Sequence, residues 1–164
     1  MMGRGYTVSY SGTLANASGD ADLLEILPAD DKPVRLVGMR LGQISEVGDA
    51  AEEGLRISVI HMTGTVTSGS GGSSVTPQPP RPGTDLAAGF AAECNNSTVA
   101  TTSGTASIRD EIGWNIRQSP WETFMFDEKM QVRAVQTEAI IVRLQTTPAD
   151  DITGQVTFFL EEDG

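Results

Sequence analysis

Alternation of apolar and polar residues is the dominant pattern along this chain, and it predicts strands buried on one face. Tyr6, Val8 and Tyr10 alternate with Thr7 and Ser9. Leu24, Ile26 and Pro28 repeat the pattern less cleanly. Val34, Leu36 and Gly38 open another strand, after which Met39 and Leu41 take the opposite parity. A glycine at such a switch predicts a bulge. Leu55, Ile57 and Val59 alternate with Arg56, Ser58 and Ile60, and the run continues towards Val66. Ile112, Trp114 and Ile116 form a further strand, broken by Ser119-Pro120. Beyond the break, Trp121, Thr123 and Met125 share one face, and Glu122, Phe124 and Phe126 the other. Residues 139–144 are apolar on both faces and are expected at the centre of a sheet. Val156, Phe158 and Leu160 make the last strand.

About eight strands with turn signals every ten or so residues predict an all-β fold, an antiparallel β-sandwich or jelly roll. Helices of 10–15 residues between strands are lacking, which disfavours a parallel α/β sheet. The expected core is Leu36, Leu41, Ile57, Val59, Trp114, Ile116, Ile141, Val142, Leu144 and Phe158. Residues 49–54 read as one short helical turn, with Asp49 as cap, Glu52 in the capping box and Gly54 ending it. Residues 85–93 read as a brief helix weakened by Gly89. Residues 67–83 are rich in Gly, Ser and Pro and read as a long flexible loop. One domain spanning residues 1–164 is expected, with a short N-terminal arm over residues 1–10.

Composition narrows the function. Eleven basic residues against 22 acidic ones leave a formal charge of −11. Nucleic-acid binders gain affinity by neutralising phosphates with cations, so no direct nucleic-acid partner is expected. No stretch approaches the ~20 apolar residues of a membrane span, so no membrane partner is expected. No run of signal-peptide length opens the chain. Cys94 is the only cysteine, which excludes an intrachain disulfide and agrees with assembly in a reducing compartment.

Candidate chemistry is sparse. His61 is the only histidine and sits in a strand, so it reads as an ordinary strand residue. Cys94 precedes Asn95-Asn96-Ser97 in an expected loop without cationic neighbours, so its thiol reads as incidental. One Cys and one His fall short of a zinc site. The acids Asp20, Asp22, Asp30, Asp31, Asp150 and Asp151 lack calcium-loop spacing and read as solvated turn acids. The glycines of residues 69–72 have no Lys after them and fail as a phosphate loop. No catalytic residue, metal site or cofactor is expected, and the chain reads as a non-enzyme that binds or builds.

The block Ile112-Gly-Trp-Asn-Ile-Arg-Gln-Ser-Pro-Trp-Glu-Thr-Phe-Met-Phe-Asp-Glu-Lys-Met130 leads into Ala139-Ile-Ile-Val-Arg-Leu-Gln-Thr-Thr-Pro-Ala-Asp-Asp151 and the strand from Val156 to Glu162. Its strand rhythm and aromatic placement resemble the C-terminal half of capsid decoration (cement) proteins of tailed bacteriophages. The resemblance covers residues 112–162, and residues 34–66 only as a strand pattern. It implies a jelly-roll-like sandwich that forms a homotrimer on the outer capsid surface. The partner would be the major capsid protein, and the chain, made in the host cytoplasm, would end in the virion. Interface cores favour aromatics, so Trp114, Trp121 and Phe124 are the candidate subunit contacts. Arg4, Tyr6 and Tyr10, on the expected arm, are the candidate capsid contacts. The alternative is a phage fibre-head or lectin-like module that stacks glycans on an exposed Trp.

Overall fold

A computed structural model describes residues 3–14, 19–45, 54–117, 120–125, 127, 131–149 and 151–164. Among these, the chain forms β1 (Arg4–Leu14), β2 (Ala21–Leu27), β3 (Val34–Gln43), β4 (Gly54–Met62), β5 (Val66–Thr67), β6 (Ser73–Ser74) and β7 (Ala91–Cys94). It continues through β8 (Thr101–Thr102), β9 (Ala106–Asn115), β10 (Trp121–Phe124), β11 (Val132–Ala134), β12 (Ala139–Leu144) and β13 (Ile152–Glu162). The first sheet has the order β1-β13-β3-β10, with β11 also on β3. The second has the order β6-β7-β2-β12-β4-β9, and β5 pairs β8 separately. Every pairing is antiparallel. The fold is an antiparallel β-sandwich; the jelly-roll part of the expectation stays with the resemblance.

The inward positions of both sheets meet in one apolar cluster that includes Val8, Leu36, Leu41, Ile57, Val59, Trp114, Val142 and Phe158. All ten expected core residues are buried. β12 is central, between β2 and β4, as its two apolar faces require. Its inner face, Ile140, Val142 and Leu144, joins the main core. Its outer face, Ala139 and Ile141, packs with Ile60, Met62 and Ala100 in a second cluster, against which Val66 of the β5–β8 ladder also packs.

Irregular pairings explain where simple alternation blurs. Opposite β13 the register shifts between Phe159 and Leu160, which leaves Val37 as the extra residue of β3. The parity switch after Gly38 is therefore a bulge, as expected. On β2 the shift beside Val142 and Arg143 leaves Leu23 extra. Leu23 and Leu24 both enter the core, while Asp22 stays beside Arg143.

Four readings are corrected. The expected arm is strand from Arg4 onwards, because Tyr6 and Val8 bury against the core. No helix forms over residues 85–93; Ala91–Cys94 pairs with β2 instead, burying Ala92 and Cys94. Cys94 thus ends a strand and lies in the core. Asp22 is no solvated acid but is fully buried. The predicted turn over residues 49–53 lies outside the described residues. The additional strands beyond about eight include two- to four-residue ladders too short to show a period. Residues 67–83 are largely exposed, yet they are bonded at several points. Ser70 and Thr98 exchange backbone hydrogen bonds at 2.9 Å, β6 pairs β7, and Gln78 exchanges two with Thr7 at 2.9 and 2.8 Å.

Arg143 Nε donates to Asp22 Oδ1 at 2.6 Å, and its Nη2 donates to Asp22 Oδ2 at 3.2 Å and to the Ala100 carbonyl at 2.9 Å. The Ala100 N–H donates to Asp22 Oδ2 at 2.7 Å. Burial pushes the Asp22 carboxyl above its ordinary range, against the lowering by Arg143 and Ala100. Replacing Arg143 with Ala strands a buried carboxylate and should cost about 3–5 kcal/mol in urea denaturation. The Asp22→Leu, Arg143→Met double variant should recover most of that loss. Without the guanidinium the folded-state pKa of Asp22 rises further. The single variant should therefore regain stability as pH falls through that pKa, and lose it as pH rises. Deleting residues 80–84 should leave the melting temperature within a few degrees. Deleting residues 69–74 should lower it sharply, since β6 and the Ser70–Thr98 bridge go with them.

Candidate docking face

Alternation turns Thr7, Ser9 and Thr13 of β1 and Thr153, Thr157 and Phe159 of β13 away from the core. On this Ser/Thr surface Phe124 of β10 is 39% exposed. Its ring centroid lies 5.2 Å from that of Phe159, at 40° between planes. Arg40 of β3 places its guanidinium carbon 5.9 Å from the centre of the Phe159 ring and donates to Glu122 at 2.7 Å. Gly38 is what lets the Phe124 ring lie across β3. A Cβ there would sit 2.5 Å from Phe124 Cδ1 and 2.9 Å from the Thr123 carbonyl.

A ridge formed by Pro79 and Pro80 stands beside this patch. The Thr7–Gln78 bonds hold its start, and Tyr6 donates its hydroxyl to the Leu86 carbonyl at 3.1 Å at its end. One groove, about 440 Å³, runs between the ridge and Val37, Phe159 and Leu160. A second, about 410 Å³, lies among the ridge, Arg4, Asp85 and Leu86. Leu86 is 62% exposed. A third, about 310 Å³, is lined by Tyr10, Arg40, Pro120 and Thr157.

The sequence candidates divide accordingly. Phe124 is on the surface, on the exposed aromatic patch. Trp114, 2% exposed, is closed to any partner in this fold, because its strand position points into the sandwich. Trp121 is half-buried and packs against the main core. Arg4 is exposed on the second groove and Tyr10 lines the third. Tyr6, 3% exposed, meets the Phe90 ring edge-on at 5.6 Å, so most of it is core. Sequence reasoning missed Phe159, Leu86 and the proline ridge. Phe159 sits in a strand whose buried parity is the other one, so a large apolar residue on the polar parity was the available signal.

Elsewhere the polar side chains hold one another. His61 Nε2 lies 3.0 Å from Glu138 Oε2, which also accepts the Val135 N–H at 2.9 Å. The Ser58 hydroxyl donates to Glu111 and Gln145, and faces no imidazole. Arg56, bonded to Glu111, holds that carboxyl below its usual range, which weakens it as a base. Among the described residues no group of three or more His, Cys, Asp or Glu side chains is gathered for a metal ion, and no helix is long and apolar enough to cross a membrane.

Burial pushes the Cys94 thiol up to about 12. The folded protein should accordingly leave a thiol-reactive disulfide reagent unconsumed at pH 8, and consume one equivalent after denaturation. Reaction in the native state at the denatured rate would contradict the burial.

No protein-family model matches the chain, nor does any curated protein or solved structure.

Proposed function

We propose that this chain is a structural virion protein that docks as a homotrimer on the outer surface of a bacteriophage capsid and stabilises the shell. The observation that carries the reading is the apolar stretch from Phe124 and Phe159 over the proline ridge to Leu86. It is set on an otherwise Ser/Thr-rich sheet. Apolar residues grouped on a polar surface mark a contact site. Its two aromatic members lie on strands, and the ridge is tied to β1 by the Thr7–Gln78 and Tyr6–Leu86 bonds, so little ordering cost opposes binding. The resemblance of residues 112–162 to decoration proteins supplies the partner class.

The division of labour follows from position. Phe124 and Phe159 pack against the sister subunits, where aromatic anchors contribute most. Arg4, Leu86 and the ridge meet the major capsid protein. Three copies then grip three neighbouring shell units, and the combined avidity exceeds any single contact. Binding only the assembled shell stabilises that state by mass action. The reading involves binding and no catalysis.

Light scattering of the purified chain should give the mass of three copies, and Phe124→Ser should give a folded monomer. Leu86→Asp should leave the trimer intact but weaken pelleting with purified empty capsids by at least ~30-fold, the effect of losing one hot spot. A wild-type chain that is monomeric at micromolar concentration and stays in the supernatant would overturn the proposal. Retention on a glycan array would then move it to the glycan-binding alternative.

A further inference from the structure

β2 and β7 place two carboxylates directly opposite each other. Glu25 and Glu93 are cross-strand partners. Glu25 is 1% exposed and Glu93 half-buried. Asn96 reaches both: its Nδ2 donates to Glu25 Oε2 and to Glu93 Oε2, each at 3.0 Å. The Gly69 N–H donates to the same Glu25 oxygen at 2.9 Å. Among the described residues no ion pair reaches either acid. Arg143, on the neighbouring strand, is held by Asp22 and the Ala100 carbonyl. Like charges directly opposite on paired strands repel, and a buried carboxylate without a cation is costly.

A second observation concerns Asn96, itself 1% exposed. Its Oδ1 is buried with no hydrogen-bond partner, and so is Glu25 Oε1. A Cβ built on Gly72 would stand 2.3 Å from Asn96 Oδ1 and 2.3 Å from the Cys94 carbonyl oxygen. Two acceptors therefore crowd one small space. Turning the amide over would bring its N–H groups towards that carbonyl. It would also aim Oδ1 at the two carboxylates, where three oxygens would converge without a positive charge. Neither orientation by itself satisfies both ends of the amide; turned over, with a cation between the acids, it does.

We propose that Glu25, Glu93 and, with its amide turned over from the orientation seen here, the Asn96 amide oxygen bind a calcium ion, which fastens the segment around Gly69 and Asn96 to β2 and β7. The donors are all oxygen, as hard cations require, and Cys94 points the other way into the core. Calcium accepts carboxylate and amide oxygens in irregular geometry and completes its shell with water, whereas magnesium demands a near-ideal octahedron. The half-exposed Glu93 provides the way in. With only two carboxylates the site belongs to the weak class, with a dissociation constant on the order of 10⁻⁴–10⁻³ M.

The test is thermal unfolding of the full chain, first in EDTA and then with CaCl2. Calcium at tenfold its dissociation constant should raise the melting temperature by about 3–6 °C, and calorimetry should count one site per chain. Glu93→Gln should melt above wild type in EDTA, because the repulsion is relieved, and should lose the calcium shift. Glu25→Gln should behave the same way, and if it fails to fold, Glu93→Gln decides alone. No shift up to about 10 mM calcium, an equal shift with MgCl2 at matched ionic strength, or a full calcium shift in Glu93→Gln would each overturn the site.

Discussion

The sandwich depends on the pairing of its two ends. β1 and β13 run antiparallel in unbroken register from Arg4 opposite Glu162 to Leu14 opposite Ile152. β13 in turn carries β3, so removing β13 would strip the first sheet of its middle, and removing β1 would uncover β13. Val8, Phe158 and Leu160 would then lose their cover, and each is buried. This pairing closes nearly the longest loop the chain allows. Such contacts are slow to form, because loop entropy is lost before the ladder compensates it. The same pairing creates the candidate docking face. Thr7 lies across from Phe159, and the Gln78 bridge that anchors the proline ridge is made to the backbone of Thr7.

The second sheet has a different problem. Its outer face carries Ile60, Met62, Ala139 and Ile141, and Val66 and Ala100 pack over them. The cover traps polar groups along with apolar ones. Asp22 is matched by a guanidinium and an N–H; Glu25 receives only N–H groups. The strand register forces this contrast. Arg143 lies opposite Asp22, whereas the residue of β12 opposite Glu25 is Ile141. Nothing on the central strand can neutralise Glu25, and β7 adds a second acid on its other side.

How much of this was legible follows from what period two encodes. It reports which side of a strand is wet, so Leu36, Ile57, Trp114 and Phe158 could be assigned to the core directly. The double-sided apolarity of residues 139–144 marked β12 as central for the same reason. Period two does not report which strands become neighbours. Asp22 lay in what read as a polar turn, and its partner Arg143 is far along the chain. Glu25, Glu93 and Asn96 meet only through the β2–β7 pairing, so no local spacing announced them. β7 itself was hidden because Ala91–Cys94 is short and lies beside Gly89, which suggested a failing helix. The aromatic residues were legible as important but not as surface or core. Trp114 and Phe124 look alike in an alternating run, and only the sheet's orientation separates them.

That orientation also bears on charge. The chain carries −11, yet the outer side of the first sheet is locally balanced. Arg40 meets Glu122; Arg35 meets Glu161 and Asp163, and Arg133 meets Asp163. These pairs are partly exposed and add little stability. Their effect is on recognition. An aromatic patch inside a strongly acidic field would repel an acidic partner and select a basic one. Inside a neutral field, the choice of partner rests on shape, and here shape is set by the backbone. The bulge at Val37 and the missing side chain at Gly38 decide where Phe124 and Phe159 stand. A surface of that kind suits a rigid counterpart of fixed shape. In the trimer proposed above, each subunit offers its sisters the same contour, so one geometry, held by one bulge, would serve all three contacts.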